Sequence, residues 1–399
     1  MLRSLFSGIS GLRQHQTMMD VVGNNIANVN TNGYKSASVV FEDTLSQMMR
    51  ASGAATATRG GINPAQVGLG VQLGGISTNF GQGSAQSTGR STDLMISGDG
   101  FFVVRNGNED VYSRAGSFTF DSTGRLVNNS GMVVQGWAGK NGVVDTDGPL
   151  TDIRLPAGSM IPPVASTKVG IGGNITSGTA STMTLSSTAY DAAGNAHDLT
   201  LTLTPNGSGG FGVDVLENGA SIAGTAGALA FNADGSLNTG STTNAQATLA
   251  DGTAIDIDLS GITAYGGSKT LAVKTADGFA AGSLQQFQIS PDGTVVGIFS
   301  NGQKLNMAQI ALANFNNPGG LEKMGNSTYR SSTNSGIAQV GSPADGGRGT
   351  LIGGSLEMSN VDLASEFTNL IIAQRGFQAN SRVITTSDQL LEELVNIKR

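Results

Sequence analysis

SNVDLASEFTNLIIAQRGFQANSRVITTSDQLLEELVNIKR, residues 359–399, places large apolar side chains at a strict interval of seven: Leu363, Leu370, Phe377, Ile384 and Leu391. That spacing keeps one stripe of a helix facing a partner, so the stretch is predicted to be one long helix. Ser359 is placed to cap its start, and Asp362, three residues on, to complete a capping box. Asp362 and Glu366 then sit at the positive end of the helix dipole and Lys398 and Arg399 at the negative end. The companion positions Phe367, Gln374, Ser381, Asp388 and Val395 are mostly polar, which argues against a two-stranded coil with a dry core.

The expected partner lies at the other end of the chain, where Leu5, Leu12, Met19 and Ile26 repeat at the same interval. Leu2 and Ile9 fill the companion positions before Gln16 and Gly23 dilute them. Residues 1–28 and 360–397 are therefore expected to lie side by side and antiparallel. Gly8, Gly11 and Gly23 each cost a helix roughly 1 kcal/mol relative to alanine, so the N-terminal helix should be marginal alone. An ordinary core pair would show the same spacing, but it would not normally occupy both extremes of a helix-poor chain.

Composition sets the limits around this pair. Of 399 residues 59 are glycine, about twice the usual share near 7%, and the length allows two or three domains, so a turn-rich β protein is expected. The net charge of −7, without a Lys/Arg cluster, argues against nucleic acid and anionic membrane surfaces as partners. No run reaches the 18 or so apolar residues of a membrane span, and the N-terminus lacks the pattern of a cleavable signal peptide. With no cysteine, and only His15 and His197 to offer imidazole, disulfides, thiolate metal sites and most histidine chemistry fall away. No cofactor and no metal ligand set is expected.

Along the chain, the first helix should end near Ala27, where Asn28-Val29-Asn30-Thr31-Asn32-Gly33 gathers turn formers. Residues 39–68, poor in large side chains apart from Met48 and Met49, suggest a loose connector. Alternation from Val71, Leu73 and Ile76 through Leu94-Met95-Ile96 and Phe101-Phe102-Val103-Val104 predicts strands. After about Asp145 aromatic residues thin out, and strand candidates 183–185, 199–203, 211–216, 255–259 and 271–273 are separated by Asn206-Gly207, Asn218-Gly219, Asp234-Gly235 and Asp251-Gly252 turns. Near Phe287 the pattern of the first strands returns. Nesting is the simplest reading: a terminal helical domain (1–28 with 359–399), a connector (29–70 with 341–358), a first β domain (71–145 with 284–340) and an outer β domain (146–283).

Asn24-Asn25-Ile26-Ala27-Asn28 followed by Thr31 and Gly33-Tyr34-Lys35 resembles the N-terminal signature of the bacterial flagellar axial proteins, the rod, hook and hook-associated subunits. Asp93-Leu94 through Phe102, Tyr112-Ser113-Arg114, Asn314-Phe315, Gly354-Ser355-Leu356-Glu357, Ser359-Asn360-Val361-Asp362-Leu363, Ala373-Gln374-Arg375 and Ala379-Asn380 are similar to the same family. The matches cover roughly residues 1–145 and 285–399, and the large middle favours the hook class over distal rod subunits. One departure is Phe377, where the family often has tyrosine. The resemblance implies a structural subunit, exported through the flagellar apparatus, that polymerises with itself into a curved tube carrying torque from rod to filament. It implies rod, hook–filament junction, cap and export proteins as partners. Subunit contacts are then expected at Leu5, Ile9, Leu12, Met19, Ile26, Leu363, Phe367, Leu370, Phe377, Ile384 and Leu391, with hinges near 59–61, 145–148 and 276–282.

Catalytic readings are weaker. Gly68-Leu69-Gly70 with Gly74 lacks the βαβ setting of a dinucleotide loop. Asp145, Asp147 and Asp152 lack the closing glutamate of a calcium loop and suggest a solvated turn. His197 beside Asp198 could pair as base and orienter, but no nucleophile accompanies them, and a lone hairpin histidine is usually surface. His15, on the first helix, suits an interface, whereas Arg375 and Asn380 fall off the main stripe. The alternative from another class is a secreted β-rich adhesin or hydrolase oligomerised by its terminal helices.

Overall fold

The computed structural model describes residues 2–56, 58–140, 142–155, 158–176, 178, 181–207, 209–222 and 227–397, without the side chains of Leu2 and Leu394. The chain forms two compact units: Met1–Pro156 with Phe287–Val296 and Leu305–Arg399, and Ala157–Gln286 with Gly297–Lys304. The first division falls at residue 156, later than the thinning of aromatic residues near 145. Thr151–Asp152 pairs back onto the strand Val133–Lys140, with Asp152 opposite Gln135, and Ile153 and Leu155 are buried. Backbone pairing holds this aromatic-poor segment in the first body.

In the first unit, helix α1 (Leu2–Ala27) and helix α2 (Leu363–Ile397) run antiparallel, Ser4 lying against Ser387 and Asn25 against Glu366. Asp362, not Ser359, caps α2: its Oδ1 accepts the Ala364 N–H at 2.9 Å and its carbonyl accepts the Glu366 N–H at 2.9 Å. Just ahead of the helix, the Asn360 side chain is engaged by Ser36 and Asn79. Lys398 and Arg399 lie outside the described residues. The helices belong to the same compact unit as the first β body. Ser10 Oγ accepts the Val71 N–H at 3.2 Å, and His15 meets Phe41 edge to face at 6.0 Å.

The stretch expected to be a loose connector is instead paired backbone. Ala37–Asp43 pairs antiparallel with Val71–Thr78, and Ser46–Arg50 with Ala65–Gly68. Every side chain of Ser46–Arg50 is exposed, so no burial pattern marks the strand in the sequence. Leu69 and Gly70, the latter at φ 130°, link two of these strands, which disposes of the dinucleotide-loop reading.

The β body orders its strands as Lys304–Ile310, Val133–Lys140, Phe101–Asn106, Glu109–Ser113, Thr328–Arg330 and Glu322–Gly325. Phe101 and Val103 pack with Tyr112, Trp137, Phe315 and Tyr329, while Phe102 packs edge to face on Phe118 at 5.0 Å. Both faces of Phe101–Val104 are thus covered, which is why that run reads as continuously apolar.

The second unit is a sandwich. One sheet orders Asn244–Thr248, Ala254–Thr263, Lys168–Asn174 and Ala272–Ala276; the other orders Met183–Tyr190, Ala196–Pro205 and Phe211–Glu217. Alternate residues point inward, as in Leu199, Leu201 and Leu203 against Ile255, Ile257 and Leu259. Asn218 (φ 47°) and Gly219 (φ 88°) adopt the left-handed pair of a tight hairpin turn, which Asn-Gly predicts.

Candidate functional site

Small residues decide how α1 and α2 meet. A Cβ on Gly11 would lie 2.8 Å from the Asn380 side chain, and one on Gly8 3.3 Å from Ile384. A Cβ on Gly376 would overlap the His15 ring. Two of the glycines that weaken α1 therefore also let α2 approach closely, whereas Gly23 has nothing within 4 Å of such a Cβ. The companion positions on α2 are Glu366, Ala373, Asn380 and Ser387, one residue away from the expected set of Phe367, Gln374, Ser381 and Asp388. Asn380, expected off the stripe, lies on it, and Arg375 and Gln374 are exposed.

Of the expected contact residues, Leu5, Leu12, Met19, Ile26, Leu370, Ile384 and Leu391 are half-buried. Ile9, Leu363, Phe367 and Phe377 are exposed, Phe367 by 51%. Ile371 and Ile372, absent from the heptad reading, are exposed by 57% and 54%, and Phe6 on α1 by 67%. These exposed side chains leave apolar surface on both helices without cover from the subunit itself.

The signature residues play a different part, tying α1 to the start of α2 and to the β body. Asn25, fully buried, donates to the Ala37 carbonyl at 2.8 Å and to Glu366 Oε1 at 3.0 Å, and its Oδ1 accepts the Ala37 N–H and the Tyr34 hydroxyl. Tyr34 also donates to Asn24 Oδ1 at 2.8 Å, and Thr31 to Asn28 Oδ1 at 3.1 Å. Gly33 sits at φ 67°, its N–H donating to the Glu357 carbonyl, where a Cβ would lie 2.6 Å from the Ala115 nitrogen. Asn360 accepts the Ser36 N–H and donates to the carbonyls of Asn79 and Gly81.

Beneath this knot Lys35 and Glu357, both wholly buried, pair at 2.6 Å, and Lys35 also donates to the Gly81 carbonyl. Arg114 approaches Glu357 Oε2 at 3.6 Å and donates to the Gly98 carbonyl. Burial lowers the Lys35 and Arg114 pKa values, against the pull of Glu357 in each case. Burial likewise raises the Glu366 carboxyl, with the Asn25 hydrogen bond opposing it. Glu357 and Arg114 stand in family-like motifs but are not marked by sequence spacing. The signal that could find them is chemical: a lysine following Gly-Tyr at the end of a helix needs an acid if it is buried.

The other candidates resolve simply. Asp145 Oδ1 accepts the Asp147 N–H, a local turn. Around 145–148 the Gly148 carbonyl is held by Trp137 Nε1, and Asp277 accepts the N–H groups of Thr167 and Lys168, so two of the expected hinge regions carry fixed hydrogen bonds. Among the described helices none is long and apolar enough to cross a membrane.

Family models match four segments: residues 5–35 (Flagella basal body rod protein), 95–177 (Flagellar hook protein FlgE/F/G D1 domain), 165–279 (Flagellar basal body protein FlaE D2 domain) and 352–397 (Flagellar basal body rod FlgEFG protein C-terminal). The chain is 38% identical to the flagellar hook protein FlgE of Borreliella burgdorferi over 100% of both chains. It is 35% identical to that of Escherichia coli over 98% of both, and 34% identical to the flagellar basal-body rod protein FlgG of Bacillus subtilis over 100% of both. The crystal structure of Helicobacter pylori flagellar hook protein FlgE2 shares the fold, with a TM-score of 0.53 at 14% identity over 67% of this chain and 98% of that one. With full-length relatives above the 30% level and matching segments at both ends and through the middle, the chain belongs to the flagellar hook protein family.

Proposed function

We propose that this chain is the structural subunit of a flagellar hook and that α1 and α2 form the inner, polymerising part of the subunit. The observation that carries the reading is the division of α2 into two surfaces. One is filled by α1 through Gly8, Gly11, Ala373 and Gly376, and the other offers Leu363, Phe367, Ile371 and Phe377 to solvent. A lone subunit gains nothing from that second surface; a neighbouring copy would bury it. Residues 29–70 with 341–358 then serve as the link, joined by Val71–Thr78, which pairs with Ala37–Asp43, and the β body forms the wall. The signature residues set the angle at which the helix pair leaves the β body, through Asn25, Lys35 and Asn360.

Rod, junction, cap and export proteins are the partners this reading implies, with secretion through the flagellar apparatus. The role is mechanical, with no catalysis. Negative-stain microscopy of the assembled, purified protein tests the reading: a curved tube with a central channel supports a hook subunit. A straight rod of limited length would favour the rod assignment, which the FlgG relative keeps as a second reading, and discrete trimers would favour an adhesin.

A further inference from the structure

At one end of the sandwich, ligand-type side chains converge from both sheets. Asp191 follows the strand Met183–Tyr190, His197 lies near the start of Ala196–Pro205, and Asp251 sits in the turn between Asn244–Thr248 and Ala254–Thr263. One donor atom from each lies within 4.8 Å of the other two. Sequence adjacency pairs His197 with Asp198, but strand alternation turns Asp198 to the other face, beside Thr188.

Glu217 is the partner of His197 instead, with Oε1 2.6 Å from Nδ1. A carboxylate accepts, so Nδ1 holds the proton, and in the neutral ring Nε2 keeps its lone pair. That Nε2 atom is enclosed, has no hydrogen-bond partner, and lies 3.6 Å from Asp191 Oδ2. Asp191 is itself fixed by the Asn195 N–H and side-chain amide, both at 2.7 Å. The second Glu217 oxygen accepts the Ala250 N–H at 3.0 Å, which sets the loop carrying Asp251.

We propose that Asp191, His197 and Asp251 form a zinc(II) site, with Glu217 as the positioning residue that aims Nε2. A carboxylate on the far ring nitrogen is the usual support of a histidine ligand. Three protein ligands of mixed N and O type, with water in the fourth position, suit zinc, whereas calcium wants six to eight oxygens. Donors on tetrahedral zinc sit roughly 3.3 Å apart, given bonds of about 2.0–2.1 Å. The needed contraction falls to Asp251, the exposed member of the three, whose oxygens accept the Thr253 N–H at 2.9 Å and hydroxyl at 2.8 Å, so it moves with its turn. The bound ion would join the two sheets, which no expectation from composition included.

The test uses full-length protein stripped by a chelator, at mildly alkaline pH. The acids around His197, Glu217 foremost, raise its pKa, so protons compete with metal for the ring. Zinc at about 100-fold excess over Kd should raise the unfolding temperature of the second unit by roughly 5–10 °C. Cobalt(II) should give a visible tetrahedral absorption band. His197→Gln should abolish both effects. Asp251→Asn keeps a side-chain oxygen for the Thr253 N–H but loses the acceptor of the Thr253 hydroxyl, so it should fold and melt only slightly lower without metal yet lose most of the shift, which decides the matter even if His197→Gln folds poorly. Asp198→Asn should keep both. No shift in the wild type, or an equal shift in Asp251→Asn, overturns the proposal.

Discussion

Lys35 shows how much one side chain can carry in this fold. It is fully buried and satisfied by Glu357 and the Gly81 carbonyl, so its removal strands a buried carboxylate. Lys35→Met should destabilise the first unit by about 3 kcal/mol, the lower end for a broken buried pair, because the Gly83 N–H and Arg114 still face Glu357. Denaturant unfolding followed at Trp137 measures it, and a loss under about 1 kcal/mol would mean the pair is not stabilising. Two aspartates of the second unit, Asp234 in a turn and Asp258 in the strand Ala254–Thr263, govern its response to acid. Asp234 and Asp258 are held below their ordinary 3.8 chiefly by the hydroxyls of Ser236 and Ser260. A lowered folded pKa gives stability that is present above pH 3.8 and lost as the pH falls through the folded value. Acid melts of Asp234→Asn and Asp258→Asn should therefore show a flatter decline of the second unit below that pH than wild type does. Unchanged slopes would remove these residues from the explanation.

Two helices separated by more than three hundred residues find each other through glycine as much as through leucine. Gly11→Ala brings a Cβ to 2.8 Å from Asn380, so overpacking of about 1–3 kcal/mol should outweigh a helix-propensity gain of roughly 1 kcal/mol. Gly23→Ala meets nothing within 4 Å and should stabilise α1 by up to about 1 kcal/mol. Hydrogen exchange of α1 amides in the two variants should thus move in opposite directions; parallel movement would refute the close-approach role. The interval of seven in Leu370, Ile384 and Leu391 was legible because leucine-sized residues stand out. The companion positions were not, since Ala373, Asn380 and Ser387 carry no hydrophobic signal and act by being small or by hydrogen bonding. The same blindness hid the strand Ser46–Arg50, all exposed, while Ser359 and Asp362 were both plausible caps by residue type and only the Ala364 N–H bond singles out Asp362. In the sandwich, alternation and Asn-Gly turns located the strands, but the pairing of His197 with Glu217 joins residues across two strands, which linear adjacency cannot show.

On the scale of the whole molecule, the β body and the sandwich have closed cores around Phe101 and around Leu201, whereas the helix pair leaves Phe367 and Ile371 uncovered. The energy for assembly should therefore come from the exposed face of α2 and not from the β parts. Burying each of these side chains in a neighbour is worth about 1.5–3 kcal/mol, and an unpaired carboxylate in its place costs several more. The double variant Phe367→Asp/Ile371→Asp should then lose on the order of 5 kcal/mol or more per contact, over 10³-fold in association. In the free subunit both positions already face solvent, so the fold is spared. The decisive measurement is electron microscopy of this double variant under assembly conditions, with circular dichroism of the same sample. A monomer with wild-type β and helical signal and no tubes is expected; tubes of normal length would contradict assembly through the exposed face of α2.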